Sequence, residues 1–240
     1  MTAKEARQAQ WQKLQDEPLQ AKLKYIFTYY WAAILLIAFA IVFVVSWMVF
    51  ALMQKDVVLS GYLLNGTTQK TYQGSIAAEF LEDQQIDSEK YIFDLIADSY
   101  YLDAETYVFE GIVTRMGAQD LDFIVTDLYT YPMFTAHLAD WETILTEEQL
   151  EKYRPYFVYV EQSALDVLAA GDVGDGIKLP EYYLDSTDLE DPVVMGIRIP
   201  DSSRLLDAYS FPGDDPIFGI SISNQRLSRT LAFLDFILQE

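Results

Sequence analysis

Hydrophobic and polar positions divide this chain into two regimes. From Tyr25 to Gln54 there is no charged residue, and from Trp31 to Met53 every position but Ser46 is apolar. A helix over that heart is roughly 35 Å long, against a hydrocarbon core of about 30 Å, so it spans a bilayer with modest tilt. Pro18, preceded by Asp16 and Glu17, is well placed to start a helix that runs through Leu19, Leu23 and Ile26 into the span. Ahead of it, Trp11 and Leu14 with Lys13 alongside form either an interfacial foot on the headgroups or a frayed tail.

Beyond the span the pattern alternates between the strand and helix periods. Val57 to Leu64 is strand-like and closes at Asn65-Gly66; Tyr72, Ile76, Ala77, Phe80 and Leu81 recur at helical spacing. Tyr91 to Ile96 reads as a second, largely buried strand. Asp103 is a candidate N-cap for a helix whose Val108, Ile112 and Met116 share a face until Gly117 ends it, and Phe123 to Val125 forms a third strand. The βαβαβ order favours a parallel sheet with right-handed crossovers.

Thr146-Glu147-Glu148-Gln149 is a capping box, with Leu145 and Leu150 as its hydrophobic staple. Tyr156 to Val160 reads as a strand, and 171–192 is loop-rich. Val193 to Ile199 is a strand closed by Pro200, Asp201 to Tyr209 a short helix, and Ile217 to Ile222 another strand. Asn224 is placed to cap a last helix with Leu227, Leu231, Leu234 and Leu238 on one stripe. The expected organisation is a juxtamembrane segment over 1–24, a transmembrane helix over 25–54, and a single three-layer α/β domain over 55–240 with a mostly parallel mixed sheet. About 185 residues suffice for one domain and are few for two.

Charge adds an orientation. Lys4, Arg7, Lys13, Lys22 and Lys24 precede the span against Glu5, Asp16 and Glu17; of the formal net charge of −21, this side holds +2 and the rest of the chain −23. Flanking Lys and Arg stay cytoplasmic, which predicts the N-terminus inside and the large domain outside, although Lys55 opposes this by one charge. Tyr25, Tyr29, Tyr30 and Trp31 on one side and Trp47 on the other suit the interfacial aromatic belts. A cleaved signal peptide fits less well, given the long N-region, the long apolar run and no A-x-A-like site near Met53. Without cysteine there is no lipid-modified thiol, disulfide or thiolate ligand. A pI near 4.2 disfavours nucleic acid as a partner, and the acidity repels anionic lipids and wall polymers.

Three segments carry a family resemblance: Asp120-Leu121-Asp122-Phe123-Ile124-Val125-Thr126-Asp127; Leu145 to Leu150; and Phe218-Gly219-Ile220-Ser221-Ile222-Ser223-Asn224 ahead of Thr230-Leu231-Ala232-Phe233-Leu234. Together they resemble bacterial extracellular solute-binding proteins, in which the first marks a strand and the last a strand leading to a helix. Trp11-x-x-Leu14 with Pro18 and Tyr25 before an apolar span also resembles single-pass membrane proteins carrying such domains. The resemblance implies one lobe of a periplasmic-binding-protein fold. A two-lobed binding protein is about twice as long, and many carry a lipid-modified cysteine where this chain has a helix.

Candidate chemistry is sparse. His137 is the sole histidine, so a histidine-cluster metal site within one chain is excluded, and no nucleophile elbow accompanies it. With 37 acidic residues, carboxylate pairs carry no information. Asp185, Asp188, Glu190 and Asp191, with Asp172 and Asp175 upstream, are weak oxygen-ligand candidates for calcium at spacings unlike an EF-hand, and solvated loop charge is the simpler reading. Gly171, Gly174 and Gly176 lack the strand-to-helix context of a phosphate loop. Tyr100, Tyr101, Tyr129, Tyr131, Tyr153, Tyr156, Tyr159, Tyr182 and Tyr183 are edge-of-core residues or stacking surfaces.

The sequence thus favours a membrane-anchored, non-enzymatic extracytoplasmic module that contacts membrane lipid through 31–53 and a membrane or envelope protein through its outer domain, with no cofactor. The 24 residues before the span are too few for an output domain, which favours an accessory subunit. The alternative is a small-ligand lobe, whose pocket would lie at the strand ends near Asn65, Asp98 and Asp127.

Overall fold

A computed structural model describes residues 18–98, 106–170, 179–213 and 216–239. The chain forms two compact units, divided after Gln54. The first contains α1, Leu19–Met53, a helix of 35 residues that begins directly after Pro18. Within it, Tyr30–Ala51 is the one helix among the described residues long and apolar enough to cross a membrane, with a mean hydropathy of 2.9. Its side chains face outward all round, Trp31, Phe39 and Trp47 among them. That is the pattern of a helix whose solvent is not water, whether an anchor or a signal sequence.

The second unit is mixed α/β. In chain order its elements are β1 (Asp56–Leu64), β2 (Thr67–Thr68), α2 (Ile76–Asp83), β3 (Tyr91–Asp98), α3 (Thr106–Gly117) and β4 (Phe123–Thr126). A 3₁₀ segment, Tyr131–His137, precedes α4 (Trp141–Ile144) and α5 (Glu147–Tyr153), and a second, Arg154–Tyr156, leads into β5 (Phe157–Glu161). Then come α6 (Gln162–Ala169), β6 (Pro192–Arg198), α7 (Arg204–Ala208), β7 (Tyr209–Ser210), β8 (Ile217–Ile220) and α8 (Leu227–Leu238).

Six strands form one sheet in the order β3-β1-β4-β8-β6-β5. The β3-β1-β4 half is parallel, as its βαβαβ order requires, whereas β8, β6 and β5 add antiparallel pairs. Alternation along each strand fills two cores. Leu59, Leu63, Phe123, Val125, Phe218 and Ile220 face α2, α7 and α8. Tyr62, Leu64, Ile124 and Ile217 face α3, α6 and the first 3₁₀ segment. The result is three layers. On the first face Phe123 stacks on Phe218 and Phe233 at centroid distances of 4.7 and 5.2 Å. Gly61 exists to admit that ring: a Cβ there would lie 2.1 Å from Phe123 Cζ.

Local signals explain most element ends. Thr146 and Gln149 close the expected capping box, and Leu145 and Leu150 both pack on the first core. Asn224 lies two residues before the N-cap, Arg226, rather than being the cap itself: its Oδ1 accepts from Arg226 N, and its amide donates to Asp122 O and Thr230 Oγ1. Tyr72 precedes α2, which is capped instead by Ser75, and donates its phenol to Glu79. Gly117 is the last residue of α3, as expected; the left-handed residue past that helix is Gln119, at φ 64°, and Gln85 plays the same part after α2, at φ 55°. Asp120 N to Arg115 O and Gln119 N to Met116 O complete a Schellman closure.

The two sheet edges differ. On β5, Tyr159 and Tyr183 exchange two backbone hydrogen bonds of 2.8 Å, so the 179–191 segment covers that edge. β3 is the other edge and is not the largely buried strand its composition predicts: Phe93 alone is buried, while Tyr91 and Ile92 are 37% and 42% exposed. Its apolar run satisfies one core position and leaves the rest at the margin. The Trp11–Leu14 foot, the Asp103 cap and the Gly171–Gly176 run lie outside the described residues.

Candidate functional site

In an open sheet with parallel strands, ligands bind where neighbouring strands send their chains to opposite faces. β1 and β4 are such neighbours. The chain leaves β1 for α2, which packs on the first core, and leaves β4 for the 3₁₀ segment, which packs on the second. Asn65 follows β1 directly and Asp127 follows β4, so the topology brings these two of the three expected residues together.

Asn65 takes the left-handed conformation, φ 62°, which asparagine tolerates better than most residues. Its amide donates to Asp127 Oδ2 at 2.7 Å and to Thr130 Oγ1 at 3.0 Å. Asp127 Oδ2 also accepts from Thr126 Oγ1, and Oδ1 accepts from the backbone N–H of Tyr129 and Thr130 at 3.0 and 2.9 Å. All three residues are buried, with Asp127 5% exposed. A carboxylate that already accepts four hydrogen bonds is an anchor for the turn that begins the 3₁₀ segment. The clasp ties the ends of β1 and β4 together. Asp98, the third expected residue, instead accepts from the Tyr62 phenol at 2.7 Å.

Beside this clasp lies an open cavity of about 750 Å³, lined in part by Asp127, Tyr129, Leu179, Glu181, Tyr182 and Pro212. Tyr129 is 80% exposed. Tyr182 is held by Thr135 Oγ1 and packs edge-on against Tyr131 at 5.1 Å; burial pushes the phenols of both well above the usual range. Tyr131 spans the second face and donates to Met195 O at 2.8 Å, its hydroxyl resting where a Cβ on Gly219 would fall. Tyr153 donates to Asp235 and Tyr159 pairs with Tyr183. Most of the described tyrosines are therefore framework.

Of the weak calcium candidates, Asp172 and Asp175 lie outside the described residues. Asp185 Oδ1 accepts from both N and Oγ1 of Thr187, and the N–H groups of Glu190 and Asp191 donate to the Glu161 carboxylate. Asp188 occupies the turn between. Among the described residues no three His, Asp or Glu gather as a metal site. His137 ends the first 3₁₀ segment half-buried, and desolvation lowers its pKa.

A buried polar network escaped the sequence pattern. Asp122, whose side chain is 1% exposed, accepts from Ser60 N at 2.8 Å and Arg226 Nη1 at 3.0 Å through Oδ2, while Oδ1 has no hydrogen-bond partner. Ser60 Oγ in turn meets Arg115, which pairs with Asp94 at 2.5 Å. Desolvation raises the pKa of Asp122 against the opposing pull of Ser60 N and Arg226. The acid before a strand was visible, but its partner 104 positions later was not.

Comparison with known proteins leaves the molecule to be read from its own geometry: no family model, curated protein or solved structure matches this chain.

Proposed function

We propose that this chain is a single-pass, membrane-anchored, non-enzymatic interaction module, an accessory subunit of a membrane or envelope complex. The observation that carries this reading is the Asn65–Asp127–Thr130 clasp. Where an open α/β sheet ordinarily presents polar groups to a ligand, those of Asn65 and Asp127 are bonded to each other and to Thr130. The apolar Tyr30–Ala51 helix serves as the anchor, and the basic residues before it favour an inward N-terminus and an extracytoplasmic domain. The resemblance to one lobe of an extracellular solute-binding protein belongs to the same reading.

The test is brief cross-linking of the full-length protein in its native membrane, followed by mild-detergent purification beside the Asp56–Glu240 fragment. A reproducible second protein is expected with the full-length chain. Recovery of a lone monomer refutes a stable complex.

A second reading rests on the open cavity beside Asp127. Its lining of Tyr129, Tyr182, Leu179 and prolines with Asp127 and Glu181 suits a small organic cation. A saturable thermal shift with such a ligand, abolished by Tyr129→Ala, would place this reading first.

A further inference from the structure

We infer that the free edge of β3 is the docking strand of the outer domain, and that its occupant is an extended, basic segment of a partner protein added to the sheet. The inference rests on the interaction reading above and assigns its surface. β3 ends the six-stranded sheet, runs for eight residues, Tyr-Ile-Phe-Asp-Leu-Ile-Ala-Asp, and pairs with β1 alone. Among the described residues the outward N–H of Tyr91 already donates to Asp87 O at 3.0 Å, and no backbone hydrogen bond reaches the outer side of the strand beyond it. A strand in a sheet offers alternate N–H and C=O groups on each side, so half of its backbone groups face outward.

Proteins ordinarily blunt such an edge with a proline, a lysine, a bulge or a covering segment. β3 has neither proline nor lysine, and the one irregularity in its pairing falls between Val57 and Leu59 of β1. The opposite edge shows what protection looks like here, with Tyr183 bonded to Tyr159 and Asp191 O accepting from Gln162 N. The difference between the edges is a template left open at one end of the sheet.

Charge selects the occupant. The chain beyond the apolar helix carries a formal −23; within β3 Asp94 is paired with Arg115 and Asp98 accepts from Tyr62, so the field is that of the outer domain as a whole. A second copy would bring two strongly acidic domains together, an approach that like charges oppose. A segment alternating Lys or Arg with β-branched residues matches both backbone and field, and steers in over a Debye length of about 10 Å.

The probe is a synthetic octapeptide alternating Lys and Val, titrated into the full-length protein in detergent and read by hydrogen exchange, with a Glu-Val octapeptide as control. The expected result is slowing of exchange by about tenfold or more at the outward amides of β3 beyond Tyr91. Salt should weaken the effect, and the Glu-Val peptide should not produce it. Ile92→Lys changes an exposed side chain, so the fold is retained, and should weaken Lys-Val binding severalfold. Protection elsewhere, equal binding of the Glu-Val peptide, or a β3-mediated dimer overturns the inference. If cross-linking still recovers a partner, only the edge assignment falls; if it recovers none, the interaction reading falls as well.

Discussion

Substitution of Asn65 probes the clasp by separating its parts. Asn65→Ala removes two hydrogen bonds, one to the carboxylate of Asp127 and one to Thr130, and places a Cβ residue with no compensating side-chain bond at φ 62°. The bond to the carboxyl oxygen of Asp127 contributes about 2 kcal/mol, that to Thr130 about 1 kcal/mol, and the left-handed backbone costs alanine about 1 kcal/mol. The sum is about 4 kcal/mol. For a unit of this size each kcal/mol moves Tm by about 2–4 °C, so the expected fall is roughly 8–16 °C. Asn65→Gly keeps the backbone relaxed and should lose about 3 kcal/mol. Asn65→Asp sets a second carboxylate against Asp127 and should be destabilised at pH 7, then recover as pH falls and one of the pair protonates. The assay is thermal unfolding of the full-length chain in detergent, followed by near-ultraviolet circular dichroism at pH 7 and 5. Asn65→Ala within about 0.5 kcal/mol of the wild type, or Asn65→Asp with no pH dependence, would refute the reasoning.

Three further outcomes are expected. Gly61→Ala drives a Cβ to within 2.1 Å of a ring held by Phe218 and Phe233, and should cost about 3 kcal/mol in chemical denaturation; Phe123→Leu in the same chain should recover part of the loss. Gln119→Gly relieves the left-handed closure after α3 and should stabilise by about 1 kcal/mol, measured as a shift in denaturation midpoint. Asp122 has a raised folded-state pKa, so its favourable contribution is complete below the unfolded-state value near 3.8 and is lost as pH rises through the folded value. Across that window the stability of Asp122→Asn relative to the wild type should therefore increase with pH, as read by denaturation at a series of pH values.

Local signals in the sequence carried over to the fold where a short segment decides the structure. The Thr146 capping box, the strand closing at Asn65 and the stripe of the last helix each depend on residues within a few positions. Edge position was not legible, because an apolar run such as Tyr91–Ile96 has the same composition whether it lies in mid-sheet or at the margin; only the pairing order decides. The helix after β3 ends at Gly117 as read, but its left-handed closure was not legible, because it falls on Gln119, where glutamine bears a conformation that glycine usually takes. Of the candidate site, Asn65 and Asp127 could be placed from the strand-end rule. Their direct bond, and the capture of Asp98 by Tyr62, could not, since they span 62 and 36 positions and depend on register. The Asp122–Arg226 pair has the same origin.

The most direct test of the account is site-specific photo-cross-linking of the full-length chain in its native membrane, from exposed positions 92, 129, 167 and 222. The account predicts an adduct with one protein, strongest from position 92 on the open edge of the sheet. A chain that stays at monomer mass from all four positions would contradict it.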